Sequence, residues 1–130
     1  MILDTYILIL ITMNIEELRT YCLSKKAVTE GFPFGPETLV FKIGDKIFLL
    51  TGLDNHPLSF NVKCDPEWAV DLREQYPHSV IPGYHMNKKH WNTVIIKGEL
   101  NVSQIKDFID HSYNIVLDSL PKKVREQLPM

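Results

Sequence analysis

A chain of 130 residues has the length of one domain, and its net charge of −2 gives it no global attraction to nucleic acid or to an acidic membrane. Its hydrophobic fraction of 45% and charged fraction of 23% are those of an average soluble globular protein, which excludes a disordered or fibrous chain. The two cysteines, Cys22 and Cys64, form neither a C-x-x-C motif nor a disulfide framework, so we expect free thiols in a reducing compartment, the cytoplasm.

The first twelve residues stand apart from the rest. Their apolar run Tyr6–Ile11 is shorter than the ~20 residues of a membrane span and the ~7–15 residues of a secretory signal, and the only early charge is the acidic Asp4. Met13 followed by a helix cap is typical of a natural start. We therefore interpret residues 1–12 as an upstream extension or a short extra strand, and residues 13–130 as a single domain.

Capping residues predict two helices in the first half of the chain. Asn14, with Glu17 three residues later, has the spacing of an N-cap and its N3 carboxylate, and a helical apolar stripe extends over about residues 14–25. Asp65-Pro66-Glu67 predicts a second helix start, and that helix ends before Pro77.

Between these helices, the segment EGFPFGPE, residues 30–37, is dense in glycine and proline. This composition predicts a loop. Its two aromatic residues, Phe32 and Phe34, are expected to pin the loop to the core.

Three β-rich runs follow that loop. TLVFKI and KIFLLTG are joined by Gly44-Asp45, which predicts a hairpin with a two-residue turn. LSFNVKC alternates apolar and polar residues, which predicts a strand with one wet face. Lys63 lies on that wet face, and Lys42 of the hairpin is expected to share it.

The second half of the chain repeats these patterns. HSVIPG and TVIIKG predict two further strands, and Asn101 with Gln104 opens the longest helix, which Pro121 ends or kinks. KKVREQL adds a final helical turn or two. Adjacent strands with short links favour an antiparallel sheet with helices packed on one side, an α+β fold.

The sequence gives little support for a catalytic site, a phosphate-binding loop or a metal site. The chain has no G-x-S-x-G elbow and no G-x-x-x-x-G-K or G-x-G-x-x-G loop. His85 and His90 are five residues apart, which is not the helical i, i+4 spacing of paired metal ligands, and no carboxylate lies near them in sequence. We therefore expect no enzyme activity, no cofactor and no metal ion.

The distribution of charge around PGYHMNKKHWNTV, residues 82–94, says more about function than these motifs do. From Gln75 to Gly98 the sequence contains no Asp or Glu, while lysines and histidines recur, which makes a local positive field in an acidic protein. Tyr84 and Trp91 flank the lysines with aromatic surface of the kind on which bases stack.

Other interpretations of this segment remain open. Lysines in a loop before a strand are often simply solvated, and Trp91 can be a core anchor whose N–H is bonded locally. The loop, or the sheet face beside it, can equally hold a protein or a small ligand.

The sequence resembles the MmcQ/YjbR family from about Met13 to Leu128. The resemblance is carried by GFPFG at 31–35, TLVFK at 38–42, KCDPE at 63–67, LPKKVR at 120–125 and, above all, PGYHMNKKHWNT at 82–93. It implies a compact α+β fold resembling that of CyaY, the bacterial frataxin. It also implies DNA binding, in which a double wing of hairpin-like elements contacts the duplex, and it implies no enzymatic activity.

The residues and the resemblance together predict a DNA-binding protein in which lysines contact phosphates and neighbouring aromatic and polar side chains touch sugars or bases. The expected contact residues are Tyr84, His85, Asn87, Lys88, Lys89, His90, Trp91, Lys97, Lys42 and Lys63. The alternative is a protein- or small-ligand-binding module with no catalytic activity. No pattern in the sequence indicates the oligomeric state.

Overall fold

One antiparallel sheet of six strands organises the protein, as seen in a computed structural model that describes residues 13–83 and 86–130. Its helices are α1 (Ile15–Leu23), α2 (Pro66–Gln75), α3 (Val102–Ser119) and α4 (Lys122–Glu126). Its strands are β1 (Val28–Gly31), β2 (Thr38–Ile43), β3 (Lys46–Gly52), β4 (Ser59–Lys63), β5 (Val80–Pro82) and β6 (Trp91–Ile95). The predicted extension, residues 1–12, lies outside the described residues.

The strands lie in the order β1-β2-β3-β4-β6-β5, and every neighbouring pair is antiparallel. The helices pack on one side of this sheet, so the predicted α+β fold is confirmed. Within the described ranges, no helix combines the length and the apolar character needed to cross a membrane.

The core lies between the sheet and α3, the longest helix. Phe41, Phe48 and Phe60 project from three adjacent strands and are fully buried. Ser112 of α3 joins this helix to the middle of the sheet, because its hydroxyl donates to the Phe48 carbonyl and accepts from the Lys63 N–H at 2.8 Å. The face of the sheet that carries the Lys63 side chain points away from this core.

The predicted hairpin is present, with its turn at Gly44 and Asp45. Gly44 has φ +56°, and a Cβ at this position would lie 2.7 Å from a Leu120 methyl group. A glycine is required here because the turn approaches the end of α3 closely and adopts a left-handed conformation.

The loop predicted at residues 30–37 differs from the structure in two ways. Its first two residues belong to the edge strand β1, which the sequence analysis missed. The aromatic residues after them do not pin the loop to the core, since Phe32 is 50% and Phe34 is 65% exposed. The Gly35 N–H donates to the Phe32 carbonyl and closes a turn in this segment, the aromatic loop (residues 32–37), whose rings stay at the surface.

Candidate nucleic-acid interface

The basic loop (residues 86–90) precedes β6 at one end of the sheet. The side chains of Lys88, Lys89 and His90 are exposed there. Tyr84 and His85, which were expected to contribute contacts, lie outside the described residues, so their roles stay predictions.

Asn87 organises the backbone of this loop. Its side-chain oxygen accepts from the Lys89 N–H at 3.0 Å. Its carbonyl accepts from the N–H groups of His90 at 3.1 Å and Trp91 at 2.9 Å. The Asn87 oxygen expected to face sugars or bases is therefore engaged inside the loop itself, where it fixes the turn that presents the lysines.

Both neighbouring segments hold the end of the loop. The Gly83 N–H donates to the Trp91 carbonyl at 2.9 Å, and the Cys64 N–H donates to the His90 carbonyl at 2.8 Å. A Cβ on Gly83 would lie 2.9 Å from the Trp91 Cβ, so only glycine allows the two segments to approach this closely.

Arg73 of α2 is a loop contact that the sequence analysis missed. Its Nε donates to the Asn92 side-chain oxygen at 2.7 Å, and its Nη2 donates to the carbonyls of Lys88 and of Trp91, the latter at 3.2 Å. The acid-free stretch of the sequence begins only two residues after Arg73. No spacing rule predicts a contact between a helix residue and a loop that lies fifteen or more residues later in the chain. The nearby acid-free stretch was therefore the only feature of the sequence that could have drawn attention to Arg73.

The expected aromatic platform at Trp91 is not formed. Trp91, the first residue of β6, lies opposite Lys63 in the strand register and is only 7% exposed. The Lys63 ammonium lies 5.9 Å from the centre of the indole ring, so the ring packs under a cation instead of presenting a free face to a base.

The structure gathers some of the predicted lysines and separates others. Lys42 and Lys63 lie on the same face and near the same end of the sheet, two strand spacings or roughly 10 Å apart. Lys97 lies beyond the opposite end of β6, roughly 20 Å along the strand from Trp91. Lys97 is therefore not part of the cluster around the basic loop.

An acidic residue that is distant in sequence lies beside the basic loop. Asp65 directly follows Cys64, whose N–H bonds the His90 carbonyl, and the Asp65 carboxylate caps α2 by accepting from the Trp68 N–H. The Asp65 N–H donates to Nε2 of His111 at 3.0 Å, so this imidazole is bonded as the neutral form. Burial lowers the pKa of His111, against an opposing effect of the Asp65 charge.

The thiol nearest the loop is not activated. Burial, with the Asp65 charge adding to it, raises the pKa of Cys64 to about 12, so the neutral thiol dominates at pH 7. Within residues 13–83 and 86–130, no group of three or more His, Cys, Asp or Glu side chains could hold a metal ion. The expectations of no enzyme and no metal stay predictions.

Comparison with known proteins identifies the family. Residues 23–115 match the family model YjbR. The chain belongs to the YjbR family. The matched segment contains β1 to β6 and most of α3, together with the basic loop and Arg73.

Relatives and solved structures agree with this assignment. The uncharacterised protein YbdF of Escherichia coli O157:H7 is 42% identical over 75% of this chain and 79% of its own length. The uncharacterised protein YjbR of Escherichia coli is 34% identical over 89% of this chain and 98% of its own length. The crystal structure of Deinococcus radiodurans protein DR2400 covers 89% of this chain and 88% of that chain with a TM-score of 0.84 and 36% identity. A Pseudomonas syringae protein covers 80% of this chain and 99% of that chain with a TM-score of 0.65 and 27% identity.

Proposed function

We propose that this member of the YjbR family binds the phosphate backbone of duplex DNA through the basic loop, without catalysing a reaction. The observation that carries the proposal is the exposure of Lys88 and Lys89 on a loop whose backbone is fixed by hydrogen bonds from three separate segments. A fixed backbone lowers the conformational entropy that the loop loses on binding.

The neighbouring cations support a small phosphate-binding footprint. Lys63 lies over Trp91 at the base of the loop, so it extends the patch formed by Lys88 and Lys89 onto the sheet face. Lys42 lies two strands beyond Lys63 and Lys97 lies past the opposite end of β6, so neither is counted among the phosphate contacts.

The size of this patch sets the expected strength of binding. Three phosphate contacts, from Lys63, Lys88 and Lys89, predict a slope of about −2.7 for log affinity against log salt concentration, and an affinity that falls about 40-fold between 50 and 200 mM salt. The net charge of −2 opposes association at longer range. Binding is therefore expected to be weak at physiological salt and tolerant of DNA sequence.

The test is fluorescence anisotropy of labelled duplex DNA at 50 mM salt. Because each phosphate contact contributes about 15-fold in affinity at this salt concentration, the double variant K88E/K89E should lose about 200-fold. The matched control is K26E/K97E, which changes the net charge by the same amount, from −2 to −6. Lys26 lies next to β1, about four strand spacings or roughly 19 Å from β6.

Two outcomes would reject the proposal. Unchanged affinity in K88E/K89E would remove the basic loop from DNA binding. Equal losses in K88E/K89E and K26E/K97E would mean that net charge alone governs association, with no localised contact.

A second candidate function is supported by a different surface. The exposed aromatic loop borders a groove of about 470 Å³, whose mainly apolar surface includes Phe32, Leu39 and Leu53 beside the ion pair of Arg19 and Glu30. Exposed aromatic rings beside an apolar groove are typical of a protein- or ligand-binding surface. This groove supports a non-catalytic binding module as the second candidate, at a surface other than the loop and sheet face expected from the sequence.

Affinity purification distinguishes this second candidate. A stoichiometric protein that is recovered by the wild type after nuclease treatment, and lost with F32S/F34S, would favour the groove over the basic loop. Recovery that depends on intact nucleic acid and on Lys88 and Lys89 would reject the groove as the principal site.

A further inference from the structure

Arg73 makes an unusual set of contacts for a half-exposed arginine. Its two donating nitrogens reach the carbonyls of Lys88 and Trp91 and the side chain of Asn92, which are neutral acceptors on both sides of the His90 position. The three acceptors belong to the basic loop and to the first two residues of β6. One side chain of α2 therefore holds the point where the loop enters the sheet.

We propose that Arg73 is the positioning residue of the basic loop, which it holds in the conformation that presents Lys88 and Lys89 to phosphates. Its effect on DNA binding rests on the proposed function, whereas its effect on the loop does not. Arg73 itself is not assigned a phosphate contact.

The helix that carries Arg73 is a firm support for this role. The Asp65 side chain caps its first turn, Pro66 occupies the first helical position, and the adjacent Leu72 is buried in the core. Because α2 is anchored at its start and along its inner face, a hydrogen bond from Arg73 transmits that rigidity to the loop.

The contact geometry requires arginine. A guanidinium presents five N–H donors in a planar fork, so it bonds acceptors at separate positions with little loss of side-chain freedom per bond. A lysine ammonium donates from a single point and cannot reproduce the bonds to Asn92, Lys88 and Trp91 together. The change R73K therefore keeps the charge and removes most of the positioning.

The positive charge of Arg73 also affects the electrostatics of the basic loop. Among residues 13–83 and 86–130, its hydrogen bonds go to two carbonyls and one amide, and no ion pair to a carboxylate is formed. Its positive charge therefore has no directly bonded carboxylate, and it acts at the base of the basic loop against the opposite charge of Asp65, since both charges influence the Cys64 thiol.

Amide hydrogen exchange, followed by NMR, tests the positioning without DNA. In R73K, the N–H groups of Lys89, His90 and Trp91 should exchange at least about tenfold faster, the effect of losing one charge-assisted hydrogen bond. The matched control is R19K, which alters an exposed arginine that pairs with Glu30 on the other edge of the sheet and should leave these amides unchanged. Unchanged exchange in R73K would overturn the proposal.

DNA titrations with the same variants separate positioning from direct contact. R73K should bind duplex DNA several-fold more weakly than wild type with the same salt slope, because the phosphate contacts remain but are less ordered. Full affinity in R73K, with a slope reduced by about 1 in R73Q, would make Arg73 a phosphate contact and overturn its positioning role. If the wild type binds no DNA, the proposed function fails, while the exchange result still decides whether Arg73 positions the loop.

A wild-type measurement covers the case in which an Arg73 variant does not fold. The Arg73 Nε–H should exchange slowly with solvent, because it is bonded to Asn92 at 2.7 Å. Free exchange of this proton would overturn the proposal.

Discussion

The aromatic loop and the basic loop lie at opposite ends of the same sheet. The aromatic loop exposes its rings and is closed mainly by turns within its own segment, with the Gly35 N–H at 3.3 Å from the Phe32 carbonyl. The basic loop exposes cations, while the aromatic residue that follows it, Trp91, is buried.

The two loops differ in how far the rest of the fold restrains their backbones. Hydrogen bonds from Arg73, Cys64 and Gly83 reach the basic loop or the residue that follows it. Lysines on a fixed backbone suit a rigid ligand with regularly spaced charges, such as a phosphate backbone. Exposed rings on a turn that is closed only within its own segment suit an apolar partner that can adapt its shape.

Replacing one aromatic residue at each loop should give the largest difference in the free energy of unfolding between the two loops. Trp91→Ala should lower the free energy of unfolding by about 3–5 kcal/mol, because it empties a buried site. Phe34→Ala should change it by no more than about 0.5 kcal/mol, because the ring is exposed. Chemical denaturation measures both, and equal losses would contradict the assigned burial.

Glycine substitutions should give the next largest contrast. Gly83→Ala should lower the free energy of unfolding by about 1–3 kcal/mol, because its Cβ would press on Trp91. Gly31→Ala, at the edge of the aromatic loop, has no atom within 4 Å of the added methyl group and should be nearly neutral. A tolerated Gly83→Ala would show that the two segments are not held close together.

A smaller effect is expected at the turn of the basic loop. Asn87→Ala should remove about 1 kcal/mol of local stability, because the Lys89 N–H loses its acceptor. Hydrogen exchange at Lys89 should accelerate, while the amides of Gly35 and Thr38 in and after the aromatic loop serve as internal controls. Acceleration at both loops would point to global unfolding instead.

The smallest of these effects is expected on lowering the pH, which should reduce the free energy of unfolding through protonation of His111. The pKa of His111 is lowered in the folded state, so its contribution to stability is present above the unfolded value of about 6.5 and is lost as the pH falls below it. His111→Gln keeps an acceptor for the Asp65 N–H and removes the titration. Urea denaturation between pH 7 and pH 5 should show a smaller loss in the variant than in the wild type, and identical pH profiles would contradict this account.

Local sequence signals predicted most of the architecture. The Gly44-Asp45 turn and the caps at Asp65 and Asn101 depend on neighbours within three residues, so the hairpin and the helix starts were located correctly. The edge strand β1 was missed because it has only four residues and runs directly into a glycine- and proline-rich segment.

The candidate site was predicted less completely, because its geometry depends on residues that are far apart in sequence. Lys88 and Lys89 were identified from charge alone, but the separation of Lys97 follows from its place beyond the far end of β6, and the burial of Trp91 follows from tertiary packing. Arg73 and Cys64 reach the loop only through the packing of α2 and the end of β4, which no local pattern encodes.

The salt dependence of DNA binding tests the central claim most directly. The wild type and K26E/K97E should both show a slope of about −2.7 in log affinity against log salt concentration, and K88E/K89E should show about −0.9. The same slope in K88E/K89E as in the wild type would contradict a phosphate-binding role for the basic loop.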